Sequence, residues 1–279
     1  MRSKSSGYVT IIVIWVAAAL FVISGGLTLY IRNQARALKN YQSYMKSYYI
    51  AYAGAFDVIF SDYANGIVLG LSRLDKIENF NAKNASVSFG GGTYTAVLEE
   101  EGGKANINSA SLNVIKDVLV GIKMSDAEKK AQAIFSWRKQ NGGLFFNAEE
   151  LGLVPELEVN DVFSLLSYFT IYSDGSLNVN TASQEVLKAY ISDFAGPAAL
   201  ADKLIKKRPF GEELQDYLRQ NAPGMPGRFR RYFSIVSAVK RVRVTGSADG
   251  KSLVKINAVF NVLQKEGHES IFLKYFWQE

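Results

Sequence analysis

The sequence predicts an α+β protein in which one long N-terminal helix packs on a small antiparallel sheet, with a large, mainly α-helical domain of two related repeats inserted into that sheet. Three observations predict it. An uncharged apolar run from Tyr8 to Ile31 is followed by apolar residues at helical spacing. Alternating, β-branched segments occur near both ends of the remaining chain, and the stretch between them repeats itself.

The first element begins with a short polar leader containing Arg2 and Lys4 and ending Ser6-Gly7. The 24 residues from Tyr8 to Ile31 carry no charge. As a helix rising about 1.5 Å per residue they reach roughly 36 Å, enough to cross a hydrocarbon core of about 30 Å. A secretory signal peptide has a shorter apolar core, of about 7 to 15 residues, with its cleavage site after it. Here the expected cut lies before the run, so the helix stays with the protein. A plain signal anchor satisfies the same hydropathy. Counting charge alone, Arg32, Arg36, Lys39 and Lys46 outweigh Arg2 and Lys4, and the positive-inside rule would place the bulk of the chain in the cytoplasm.

This junction resembles the start of type IV prepilins and type II secretion pseudopilins. The resemblance implies cleavage by prepilin peptidase between Gly7 and Tyr8, methylation of the new terminus, and a single-pass inner-membrane helix with the rest of the chain in the periplasm, opposite to the charge count. Most members carry Glu five residues into the mature chain; Ile12 stands there. In the family that buried carboxylate is thought to meet the terminal amine of a neighbouring subunit. A subunit with nothing ahead of it has no such partner, and absence of the Glu is similar to minor pseudopilin K, the tip subunit.

Beyond Ile31, Leu38, Tyr41, Met45, Tyr48, Tyr52, Ala55, Ile59 and Tyr63 recur every three or four residues, predicting that the helix continues and packs through this face. Gly66, Gly70 and the polar stretch Asn79 to Asn84 suggest its end. Strands follow at Ser86 to Phe89 and Tyr94 to Glu99 around a glycine turn, and again at Tyr232 to Thr245, Leu253 to Leu263 and Ile271 to Trp277, with a tight turn at Asp249-Gly250.

The repeat is the most specific signal. Asn106-Ile107-Asn108-Ser109-Ala110-Ser111 returns as Asn178-Val179-Asn180-Thr181-Ala182-Ser183, and Arg138, Glu149-Glu150-Leu151 and Tyr168-Phe169-Thr170-Ile171 return as Arg208, Glu212-Glu213-Leu214 and Tyr232-Phe233-Ser234-Ile235. Asn106, Asn108 and Ser109, with Asn178, Asn180 and Thr181, are expected to cap the first helix of each copy. The same lettering resembles the helix-hairpin-helix modules of membrane-anchored DNA receptors, whose Gly-x-Gly hairpin grips phosphate. Here only Gly121 and Gly196 stand at the equivalent turns, so the grip looks lost. Arg228, Arg230, Arg231, Lys240, Arg241 and Arg243 form a basic cluster, read as a solvated sheet face, and nucleic acid is not expected as a partner.

The order of parts resembles minor pseudopilin K over nearly the whole chain, through Glu99 to Asn108, Ala133 to Arg138 and Ser176 to Ala182. The division expected is a leader at 1–7, a transmembrane part at 8–31, helix and first strands at 32–103, an inserted domain at 104–230 with repeats near 104–172 and 176–230, and closing strands at 231–279. The resemblance implies a non-enzymatic protein starting pseudopilus assembly with minor pseudopilins I and J, served by prepilin peptidase, the inner-membrane secretion platform and membrane lipid. The family usually follows its Trp-Arg with acidic residues, and some members bind calcium in the helical domain; Lys139 and Gln140 follow Trp137-Arg138 here, so calcium is implied by the resemblance alone.

Composition narrows the rest. The chain has 279 residues, is 48% hydrophobic and carries a formal charge of +6, +4 without Arg2 and Lys4. It has no cysteine, which excludes disulfides, thiolate metal sites and cysteine nucleophiles. The lone His268 has no sequence-placed serine or carboxylate, Gly90 to Gly92 lacks the Lys-Ser/Thr of a nucleotide loop, and Glu99, Glu100 and Glu101 read as solvated.

Overall fold

A computed structural model of the chain describes residues 6–69, 86–140, 142–197, 199–224, 227, 232–250, 253–265 and 268–278. The expected leader charges Arg2 and Lys4, the polar stretch Asn79 to Asn84 and the arginines 228, 230 and 231 lie outside them. In chain order, α1 (Ser6–Leu69) is followed by β1 (Val87–Phe89) and β2 (Gly92–Glu100). The first repeat holds β3 (Ala105–Asn106), α2 (Leu112–Gly121), α3 (Ala127–Gln140), α4 (Val159–Leu165) and β4 (Phe169–Thr170). The second holds β5 (Leu177–Asn178), α5 (Gln184–Asp193), α6 (Ala199–Lys207), α7 (Leu214–Asn221) and β6 (Phe233–Ser234), and the chain closes with β7 (Val239–Ser247), β8 (Leu253–Lys265) and β9 (His268–Gln278).

The helix α1 runs unbroken for 64 residues, about 96 Å at about 1.5 Å per residue. No proline precedes Pro155, so nothing removes a helical amide donor along it. Its first half is apolar, exposed and long enough to cross a membrane, which is compatible with a single-pass anchor. Its second half packs on the sheet.

That sheet has the order β1-β2-β7-β8-β9, antiparallel throughout, so the two repeats enter where β2 would otherwise turn directly into β7. The β1–β2 turn uses Gly90 and Gly91, both at positive φ (58° and 75°), as a tight right-twisted hairpin requires. Beneath α1 the sheet contributes Leu98, Val242, Val244, Ile256, Ala258 and Phe260 to one core. A second core fills the repeats, from Ala105 to Phe233.

The packed face of α1 agrees with the expected one at Ala55 and Ile59 and differs from it toward the N-terminal half of the helix. Ser47, Ile50, Ala51, Gly54, Ala55, Val58 and Ile59 are buried, whereas Leu38, Tyr41 and Tyr52 remain 58%, 60% and 41% exposed. The reason is distance. At Gly246 on β7, an added Cβ would lie 2.5 Å from the Ala51 nitrogen and 2.6 Å from the Ser47 carbonyl oxygen, so helix and strand meet backbone to backbone. Small residues permit that approach, and the aromatic row is left on the helix flank, where Tyr52 and Phe56 touch Phe276 of β9. Across the interface Tyr94 of β2 donates its hydroxyl to Asp57 of α1; burial first, then Asp57, push its pKa up to about 12.

The expected single strand from Tyr232 to Thr245 is two. Phe233–Ser234 pairs in parallel with Leu177–Asn178 and closes the second repeat, and β7 starts afresh at Val239. The equivalent pair, β3 with β4, closes the first repeat. Each copy therefore brings its own two ends together, which is how a long insertion can leave and rejoin neighbouring strands of one sheet.

Candidate functional site

The repeated Asn-x-Asn element sits at the entrance of each repeat and does not cap its helix. Ser111 and Ser183, the last residues of the motif, are the caps: their hydroxyls accept from the amides of Val114 and Val186 at 3.1 and 3.3 Å. The expected caps Asn106, Asn108, Ser109, Asn178, Asn180 and Thr181 lie two to five residues before the caps Ser111 and Ser183, because the first part of the motif is spent on a short strand and a turn.

The asparagines act as latches. Asn106 and Asn178 each accept from the amide two residues on, at 2.9 Å, forming matching turns. Asn108 exchanges two hydrogen bonds with the backbone of Phe145, at 2.7 and 3.0 Å, and Asn180 does the same with Phe210, at 2.7 and 2.9 Å, adding the Ile235 carbonyl at 3.0 Å. Arg138 and Arg208 tie the helix pair back to the motif through the carbonyls of Ala110 and Ala182 at 2.9 and 2.8 Å. Ser109 bonds only locally, to the Asn106 carbonyl. Asn180→Ala would leave the Phe210 amide and carbonyl without their partner, and unfolding free energy measured by denaturant titration is expected to fall by about 2 kcal/mol.

The two leading asparagines differ in what their free amide reaches. Asn106 donates to the Ser173 carbonyl at 2.6 Å, in the link between repeats. Asn178 donates to both oxygens of Glu100, at 2.8 and 2.9 Å, at the end of β2. Here the repeats join the sheet. Glu100 also accepts from the Ser237 amide at 2.7 Å and interacts with Thr181. Burial pushes its carboxyl above the ordinary glutamate value, against the hydrogen bonds of Thr181, Asn178 and Ser237 and the charge of Lys240.

Glu101 is fully buried and takes Lys104 at 3.1 Å and Arg241 at 2.7 Å. Burial pushes its carboxyl up, but the charges of Lys104 and Arg241 together hold it below its ordinary value. The Arg241 guanidinium also lies 5.7 Å from the Tyr172 ring, at the exit of the first repeat, and 5.5 Å from Trp277 of β9. The Lys274 ammonium holds the Tyr172 carbonyl at 2.7 Å. The expectation of solvated carboxylates and a solvated Arg-Val face holds for Arg243, which is exposed and pairs with the partly exposed Glu99, and is corrected for Glu100, Glu101 and Arg241, which form the joint between domains. A cleft of about 560 Å³ opens beside it, bordered by Glu100, Lys104, Glu149, Phe163, Arg241 and Trp277.

The turn after the first helix of each copy is a helix C-terminal motif. Met124 and Lys123 amides return to the carbonyls of Leu119 and Val120, and Gly196 and Ala195 amides to Ile191 and Ser192, with Lys123 and Ala195 at positive φ. These amides are consumed within the helix ends. The cleft there, about 970 Å³, is bordered by Asp117, Glu185 and Asp202, with Lys188 and Gln184 held on Asp202 at 3.3 and 2.7 Å.

Calcium does not fit the residues following Trp137-Arg138. The Lys139 ammonium occupies that place, 4.6 Å from the Phe135 ring, and among the described residues no three His, Asp or Glu side chains gather as a metal site. Gly7 and Tyr8 lie in the first turns of α1 and Ile12 is exposed on it. His268 opens β9, and its side chain is outside the described set.

No family model and no curated protein sequence matches the chain. Among solved structures, the chain is similar to one chain in the crystal structure of the GspK-GspI-GspJ complex from the enterotoxigenic Escherichia coli type 2 secretion system, with a TM-score of 0.62 at 11% identity over 88% of this chain and 99% of that one. The fold is accordingly pilin-like: a long N-terminal helix on an antiparallel sheet, with further helices inserted.

Proposed function

We propose that this chain is a minor pseudopilin of a type II protein secretion system, the K-like subunit at the tip of a periplasmic pseudopilus that supports export of folded proteins. The observation that carries this reading is the insertion of a closed, two-repeat helical domain between β2 and β7 of a pilin-like sheet, in a fold matched along nearly the full length of a chain from a complex of such proteins. In this reading α1 holds the chain in the inner membrane after prepilin peptidase acts at Gly7, and is then drawn out by the secretion platform. Its exposed apolar half would pass from lipid to the helices of minor pseudopilins I and J, small residues at Ala17, Ala18, Ala19, Gly25 and Gly26 allowing close approach.

Two features support the tip. Ile12 places no carboxylate where a neighbour's amine would be needed to neutralise it. The joint at Glu101 and Arg241 fixes a bulky domain on one end of the sheet, where subunits stacked above would meet it.

A DNA-binding reading is the alternative. It needs amides free to hold phosphate at the helix-hairpin-helix turn, and the acidic border at Asp117, Glu185 and Asp202 opposes it. Coexpression with minor pseudopilins I and J of the same cell tests the choice: a stable complex containing one copy of each is expected. Failure to associate, with duplex DNA held by the detergent-solubilised chain at an affinity falling steeply with salt, would favour the alternative.

A further inference from the structure

We propose that the outer surface of the first repeat, around Val159 and Phe163 of α4 and the neighbouring Glu149, docks a polypeptide segment carrying an apolar anchor flanked by lysine or arginine. Within one short stretch Phe146, Leu153, Val159 and Phe163 are 77%, 62%, 71% and 68% exposed. Loose packing is not the cause, since the same stretch fully buries Leu151, Val154 and Leu165 in the domain core. Val159 and Phe163 stand one turn apart on α4, which packs against the segment Ala148–Leu153, and Phe163 and Glu149 border the same cleft.

The second repeat provides an internal control. Aligning Phe145 with Phe210 and Glu149-Glu150-Leu151 with Glu212-Glu213-Leu214 sets Gly211 opposite Phe146 and Asp216 opposite Leu153. The scaffold therefore does not require apolar groups at these outward positions. An exposed cluster of large apolar side chains, two of which have a glycine and an aspartate as counterparts in the second repeat, marks a contact surface.

Charge selects the occupant. In a chain of net charge +6, residues 140–187 contain no lysine or arginine, while Glu149, Glu150, Glu156, Glu158 and Asp161 surround the apolar groups. The described cations around it are already engaged: Lys129 with Glu156 at 2.6 Å, Lys130 with Asp161 at 2.8 Å and, across the cleft that Phe163 and Glu149 border, Lys104 and Arg241 with Glu101 and Arg243 with Glu99. Glu149 and Glu158 form no ion pair among the described residues. An anionic lipid surface is repelled by such a rim, and a cationic amphipathic segment complements it.

The test uses the full chain in nonionic detergent and fluorescent helical peptides sharing one Leu/Phe stripe, with Lys, Gln or Glu at the remaining positions. The Lys peptide is expected to bind at least about tenfold more tightly than the Gln peptide, with the Glu peptide weakest, and added salt should narrow the difference. The double variant Val159→Ser, Phe163→Ser and the single variant Glu149→Lys should each lower Lys-peptide affinity about tenfold while melting as the parent does. Equal binding of the three peptides, or unchanged affinity in folded variants, overturns the proposal. So does self-association lost with Phe163→Ser, which would make a second copy the occupant, or Phe163-dependent adsorption to phosphatidylglycerol vesicles, which would make it a membrane.

Discussion

Glu101→Ala is expected to lower the unfolding free energy by about 3–5 kcal/mol, because it leaves Arg241 and Lys104 at the joint without their shared counter-charge. The loss should exceed that of any single exposed pair, such as Arg219 with Asp216, where screening leaves about 1 kcal/mol or less. Acid behaviour separates the two neighbouring carboxylates. Glu101 is held below its ordinary value, so its contribution is present above the unfolded value and is lost as pH falls through the folded one. Glu100 is raised by burial, so its effect has the opposite sign: stability rises as pH falls from the folded value toward the unfolded one. Denaturant titrations across the acid range should show Glu101→Gln flattening the lower limb and Glu100→Gln flattening the upper one.

Gly246→Val is expected to cost about 3 kcal/mol or more. The atoms that an added Cβ would strike are backbone, at Ala51 and Ser47, and cannot turn aside as a side chain can. Relief requires α1 to move off β7 and forfeits contact along Ile50, Ala51, Gly54 and Val58 on the helix against Val244 and Leu98 on the sheet. An exposed-face control, Tyr41→Val, should leave the transition within about 0.5 kcal/mol. Denaturant unfolding of the detergent-solubilised chain measures both.

The broad architecture was legible because its signals are local: an uncharged run long enough to span a bilayer, two-residue alternation in the strands, and a polar motif whose second copy carries the same hydrogen bonds. The packed face of α1 was legible only in part. Periodicity scored by side-chain size follows Tyr41, Met45, Tyr48 and Tyr52 and meets the buried face only at Ala55 and Ile59, whereas close contact with Gly246 selects Ser47 and Ala51, and Gly54 lies against Tyr94 and Val244. The joint was hidden for a different reason. Glu101 finds Arg241 across the whole inserted domain, and three consecutive glutamates look solvated until the chain folds a cation onto one of them. The Asn-x-Asn motif was recognised, but its role was not: Ser111 and Ser183 lie at the correct spacing for a cap, while Asn106 and Asn178 hold the repeats to their surroundings. Strand β7 was read too long because Phe233 and Ser234 alternate in phase with it although they pair with β5.

The proposed function requires α1 to be a filament helix processed at its leader, and the mass of the mature protein tests that requirement most directly. In a host with active prepilin peptidase the chain is expected to begin at Tyr8, carrying one added methyl group, and Gly7→Asp should abolish the cut. Retention of Met1, or processing unaffected by the Gly7 substitution, would contradict the account and leave a plain membrane anchor.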